Sequence, residues 1–119
     1  MRRWILILVI TLGFFGCSKS LEELPLTLRV GAEPSAKMRN DFGIEHYQAG
    51  RYWDALLQFN QANFADPTSG EIHFNLGLAY LQEGKEEKAI KNFRKARKLA
   101  KGNPKILQST LLDKLLKEG

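Results

Sequence analysis

The sequence has very little of the chemistry that enzyme active sites use. Its 119 residues include one cysteine and two histidines, His46 and His73. Neither histidine has cysteine or carboxylate neighbours at metal-ligand spacing. The sequence also lacks a glycine-rich phosphate loop and a Ser–His–Asp arrangement. We therefore expect no enzymatic activity, no cofactor and no metal site.

No apolar run reaches the roughly 20 residues that a membrane-spanning helix needs. The longest run, Trp4 to Phe15, follows Arg2 and Arg3 and ends at Gly16-Cys17. A basic start, an apolar centre and a small residue at the end are typical of a secretory signal peptide. Residues 1–16 are therefore predicted to be a cleaved signal peptide. Without its two arginines the net charge falls from +5 to +3, which gives no reason to expect nucleic-acid binding.

The end of this run, Phe14-Phe15-Gly16-Cys17, resembles the lipobox of bacterial lipoproteins. The resemblance implies acylation of Cys17 and attachment to a membrane through lipid. Ser18 stands where enterobacterial lipoproteins of the inner membrane carry Asp, which favours the periplasmic face of the outer membrane. The alternative is an ordinary secretory signal with a chance cysteine at its end.

Residues 17–34 are predicted to be a lipidated N-terminus and a mostly extended linker. Apolar side chains alternate along this stretch at Leu24, Leu26, Leu28 and Val30, so that it can also dock partly on the domain that follows.

That domain, residues 35–119, contains an internal repeat. Five positions recur at an offset of 34 residues, which predicts two helix–turn–helix units: Gly43, Gly50, Ala55, Phe59 and Ala62 recur as Gly77, Gly84, Ala89, Phe93 and Ala96. Repeat 1 covers about residues 36–69 and repeat 2 about 70–103. Helices are expected at about 36–48 after an N-cap at Ser35, at 52–64, from a cap at Thr68 or Ser69 to 82, and at 86–100. A fifth, capping helix is expected over 104–118, with one wide apolar face: Ile106, Leu107, Leu111, Leu112, Leu115 and Leu116.

These positions, together with Tyr52 and Asp66-Pro67, resemble the consensus of the tetratricopeptide repeat. The resemblance implies an all-α fold, a short right-handed solenoid of paired antiparallel helices. It implies that helices cross at Gly43, Ala55, Gly77 and Ala89, and that Phe59 and Phe93 fill the space between neighbouring units. The two histidines take positions that large aromatic residues normally fill. Because Pro104 comes three residues late, the fourth helix is expected to be one turn longer.

In this family the first helix of each unit lines a concave groove. The residues implied here form an apolar strip with an amide beside it: Ile44, Tyr47, Phe74, Leu78, Leu81 and Asn75. Such a strip suits an amphipathic helix or an apolar extended peptide. The chain's own Leu24–Val30 segment or fifth helix is the alternative occupant. Asn40 and Ile44 stand where some members carry the Lys and Asn that grip a C-terminal carboxylate, so we expect no such clamp.

The fourth helix is strongly basic. It either forms a solvated face or lies against anionic lipid headgroups. Taken together, the sequence predicts a lipid-anchored protein-interaction module, an adaptor or assembly factor for a cell-envelope complex. The alternatives are a self-associating envelope lipoprotein, such as a homodimer, and a regulator of a cell-wall enzyme.

Overall fold

The computed structural model describes residues 23–117, and they form helices without any strand. The predicted signal peptide, Cys17 and the first part of the linker lie outside the described residues. Between residues 23 and 117 six helices follow one another: α1 Pro34–Gln48, α2 Tyr52–Ala65, α3 Gly70–Gln82, α4 Glu86–Lys98, α5 Pro104–Leu107 and α6 Thr110–Lys117. Helices α1 and α2 pack as one pair and α3 and α4 as the next, and α2 packs against α3. The all-α helical-repeat prediction is confirmed.

The helix starts follow local capping chemistry. Of the two caps predicted for α3, Thr68 and Ser69, the structure has Ser69, which accepts a hydrogen bond from the Ile72 N–H at 3.3 Å. The expected cap of α1 at Ser35 is wrong, because Glu33 takes that role and accepts from the Ala36 N–H at 2.6 Å. Pro34 then occupies the first helical position, where its missing N–H costs nothing.

The turns inside the two units are closed by glycine. Gly50 has φ +76° and Gly84 has φ +72°, the left-handed conformation that ends a helix with least strain. This confirms the expected turn geometry.

Each unit is held together by a phenylalanine ring that lies on a glycine. A Cβ atom added to Gly43 would lie 2.4 Å from the Phe59 ring, and one added to Gly77 would lie 2.4 Å from the Phe93 ring. Both rings are fully buried, which is worth about 1.5–3 kcal/mol for such a side chain. The expectation that these rings fill the space between units is therefore incomplete, because each packs first on the glycine of its own unit.

The end of α4 differs from its prediction. The helix ends at Lys98, two residues before the predicted end at about 100, and Lys101 and Gly102 follow with φ values of +47° and +80°. This left-handed turn reverses the chain before Pro104, so the extra residues form a loop and not a helical turn.

The predicted continuous helix over 104–118 is two helices. Helix α5 ends at Leu107, and Ser109 starts α6 by accepting a hydrogen bond from the Leu112 N–H at 3.1 Å. Leu107 therefore leaves the expected apolar face and is half exposed, whereas Ile106 and Leu112 are buried. Helix α5 packs on α3 and α4, and α6 packs on α4.

Candidate functional site

The predicted groove residues lie in the protein interior more than on its surface. Tyr47, Phe74, Asn75 and Leu78 are buried, the last of them to 2 % exposure. Ile44 and Leu81 are partly buried. The Phe74 ring packs against Phe93 of α4, with the ring centroids 5.7 Å apart. An open apolar strip on the concave side is therefore not present in this structure.

Residues 23–30, here called the N-terminal segment, lie against α1 and α3 on the side where the groove was expected. This side, which carries Asn40 and Asn75, is called the concave side. The Leu26 N–H donates to Asn75 Oδ1 at 2.6 Å, and the Leu26 carbonyl accepts from Asn75 Nδ2 at 2.8 Å. Asn40 Nδ2 donates to the same carbonyl at 2.9 Å. Of the alternatives that the sequence left open, the structure shows the chain's own segment over the groove.

The two asparagines also bind each other across the boundary between the units. Asn75 Nδ2 donates to Asn40 Oδ1 at 2.8 Å, and both side chains are fully buried. Burial of an amide without partners costs about 1–3 kcal/mol, so these hydrogen bonds are required where the amides lie. The backbone N–H and carbonyl of one residue, Leu26, thus complete a network that links α1 with α3.

The segment is anchored again three residues later. Arg29 Nε lies 3.2 Å from Glu71 Oε1, and Arg29 Nη2 donates to the carbonyls of Ala100 and Lys101 at 2.9 and 3.0 Å. A cation is favourably placed at the C-terminal end of a helix such as α4. Glu71 is held in position by Asn103 Nδ2 at 2.9 Å and by Ser69 Oγ at 3.3 Å.

A third contact lies at the other end of the segment, where Ser109 Oγ donates to Glu23. Between these anchors the Leu28 side chain is buried to 8 % exposure. The segment therefore joins both units to the α5–α6 region. Sequence reasoning did not assign this role to Arg29 or Asn40. The alternating leucines of the segment were the signal that it docks.

The two histidines take part in local packing. His73 is buried, with Nδ1 3.3 Å from Asn92 Oδ1 and Nε2 3.3 Å from the Pro67 carbonyl. His46 Nδ1 accepts from Arg51 Nε at 3.0 Å. Among residues 23–117 no cluster of three His, Cys, Asp or Glu side chains is placed to hold a metal ion.

The basic side chains of α4 and its flanking turns are all exposed: Lys85, Lys88, Lys91, Arg94, Lys95, Arg97, Lys98 and Lys101. In the part of the chain that the structure describes, none of them forms an ion pair. Lys85 lies over the Trp53 ring at 5.4 Å and Lys88 over Tyr80 at 5.7 Å. This arrangement is compatible with a face in contact with solvent and with a face that lies against anionic lipid headgroups, and it does not favour one over the other.

A profile of the tetratricopeptide repeat matches residues 40–104, more than half of the chain. The chain belongs to the tetratricopeptide repeat family. Proteins of this family are typically non-catalytic scaffolds that bind other proteins. A two-unit tetratricopeptide stack is therefore expected to act through a protein partner.

One curated relative is the type IV pilus assembly protein PilF of Pseudomonas aeruginosa, which is 24 % identical over 107 residues. The match covers 90 % of this chain but 42 % of PilF, so the chain spans less than half the length of that relative. No helix within residues 23–117 is both long and apolar enough to cross a membrane.

Leu78→Asp distinguishes an interior position from a groove surface. Because Leu78 is buried, we expect the aspartate to destabilise the domain by more than about 2 kcal/mol, the lower end of the cost of removing a buried leucine side chain. The measurement is the urea midpoint followed by circular dichroism. Leu107→Asp, at a half-exposed leucine, is the matched control and should change the midpoint little. Equal midpoints for both variants and the parent would contradict the burial of Leu78.

Proposed function

We propose that this tetratricopeptide repeat protein is a lipid-anchored interaction module of the bacterial cell envelope, an adaptor or assembly factor for an envelope complex. The signal-peptide pattern that ends at Cys17 supports export and anchoring. The likeness to PilF, which is named as a type IV pilus assembly protein, supports a role in assembly at the envelope. Periplasmic attachment to the outer membrane belongs to the same proposal.

The main support for a role in protein interaction is an exposed apolar face on α1, at the start of the stack of helices. Met38 and Phe42 of α1 correspond, at the offset of 34 residues, to Ile72 and Leu76 of α3. The α3 pair is buried at 0 % and 2 % exposure, whereas Met38 is 46 % and Phe42 42 % exposed.

The difference follows from the neighbours of the two helices. Helix α3 packs against α2, which precedes it, whereas no helix precedes α1 in the described residues. Units of a repeat protein bury their apolar faces on one another, and an uncovered face marks a contact surface. We call Met38 and Phe42 the end face, and it suits the apolar side of a helix placed as α2 is on α3.

A second candidate function, self-association, uses the same observation. Two copies that place their end faces together would each supply the missing neighbour, in the isologous arrangement that most homodimers have. The mass of the cross-linked product separates this candidate from binding of a different envelope protein.

Lipid anchoring is tested by Cys17→Ser. Without the thiol, acylation cannot occur, so the variant should remain unprocessed or become soluble. The measurement is detergent-phase partitioning together with the mass of the product, and Ser18→Ala is the matched control that keeps the cysteine. A Cys17→Ser protein that still enters the detergent phase at the processed mass would contradict the anchor.

The end face is tested in the intact bacterium with a photo-reactive amino acid at position 42. We expect cross-linking to a specific envelope protein, and we expect Met38→Glu to abolish it because a charge interrupts the apolar contact. The matched position is Leu57, which is 54 % exposed and faces Tyr80 and Lys85 of the second unit. Cross-linking from position 57 to the same protein, or from position 42 regardless of Met38→Glu, would contradict the proposed surface. A product of twice the chain mass would favour the homodimer.

A further inference from the structure

The N-terminal segment is bound through its main chain at Leu26 and through its side chains at Glu23, Leu28 and Arg29. At Leu26 the asparagine pair contacts the N–H and the carbonyl of one residue, and every residue except proline offers the same two groups. Asn40 and Asn75 are therefore a receptor for an extended polypeptide, whatever side chain stands at that position.

Two side chains of the segment add selectivity. Leu28 is buried against the domain. Arg29 reaches Glu71, whose side chain is 7 % exposed, and the carbonyls of two residues in the loop after α4. Glu71 is already held by Ser69 and Asn103, so a fixed anionic subsite lies beside the receptor for the main chain.

Parts of the segment are exposed, although its first residue, Glu23, accepts a hydrogen bond from Ser109 Oγ. Leu24 is 64 % exposed and Val30 fully exposed. The segment has no helix or strand of its own, and a single turn joins it to α1, with the Ala32 N–H donating to the Arg29 carbonyl at 3.1 Å. Apart from Leu28, the buried apolar residues between positions 23 and 117 lie in the helices or, in the case of Ala100, in the loop after α4.

We propose that the concave side is a peptide-binding site that the N-terminal segment occupies in cis, and that an extended partner peptide competes for it. A peptide that fits this site has four consecutive residues like Leu26 to Arg29: an apolar residue, then any residue, then leucine, then arginine. This site is separate from the end face, so either proposal can fail without the other.

Displacement would also change the reach of the tether, a consequence that rests on the proposed lipid anchor. Release of residues 23–32 frees ten residues that are otherwise held against the domain, and at about 3.3 Å per extended residue they can span up to about 30 Å. Partner binding on the concave side would thus let the domain move away from the membrane.

The test uses a fluorescent synthetic peptide with the sequence of residues 23–31 and the full chain. A tethered competitor acts at an effective concentration of about millimolar, so the unmodified chain should bind the peptide weakly. Leu26→Pro in the chain removes the N–H that Asn75 binds and leaves the receptor intact. We expect at least a tenfold lower apparent Kd for the added peptide.

Leu24→Pro is the matched control, because Leu24 is exposed and the change should leave the peptide affinity as in the unmodified chain. In the Leu26→Pro chain, Asn75→Ala should abolish peptide binding, and a peptide with Arg29→Glu should bind at least tenfold more weakly. No gain of affinity in a folded Leu26→Pro chain would overturn the proposal. Loss of the fold in Leu26→Pro but not in Leu24→Pro would also overturn it, since a displaceable ligand cannot be required for folding.

Discussion

The concave side of this protein depends on one hydrogen-bonded group, the buried amides of Asn40 and Asn75 with the backbone N–H and carbonyl of Leu26. Each amide needs partners, since neither side chain is exposed to water. The two side chains satisfy each other in part, and the N-terminal segment supplies the remaining donor and acceptor. The position of the segment, and with it the accessibility of the groove, follows from this requirement.

The glycine turns and the pairing of the helices were predicted well, whereas two helix starts were not. The turns at Gly50 and Gly84 follow from glycine's tolerance of positive φ, and the pairing of helices follows from the repeat. The prediction of an uninterrupted capping helix over 104–118 was wrong. The apolar residues on both sides of positions 108 and 109 keep helical spacing, but the Ser109 hydroxyl starts a new helix there. A polar helix cap of this kind leaves no trace in the spacing of the apolar residues.

The state of the candidate site could not be read from the sequence. The asparagine pair meets Leu26 across 14 residues on one side and 49 on the other. Neither spacing belongs to a helix or to a repeat. The groove residues are compatible with an open groove and with a groove covered by the N-terminal segment. Which of the two forms depends on side-chain hydrogen bonds that exist only in the folded chain. The end face is different, because the sequence repeat already pairs its two residues with Ile72 and Leu76. The structure adds only the exposure of the four side chains.

The most direct test of this account is the exchange rate of the Leu26 amide proton, measured by NMR in the full chain. We expect exchange to be much slower than in a free peptide of the same sequence, because Asn75 Oδ1 accepts that proton in a partly buried site. Asn75→Ala should raise the rate toward that of the free peptide, whereas Gln82→Ala, which removes a more exposed bond to the Tyr47 hydroxyl, should leave it slow. Exchange at the free-peptide rate in the unmodified protein would contradict the account, because the segment would then not occupy the concave side.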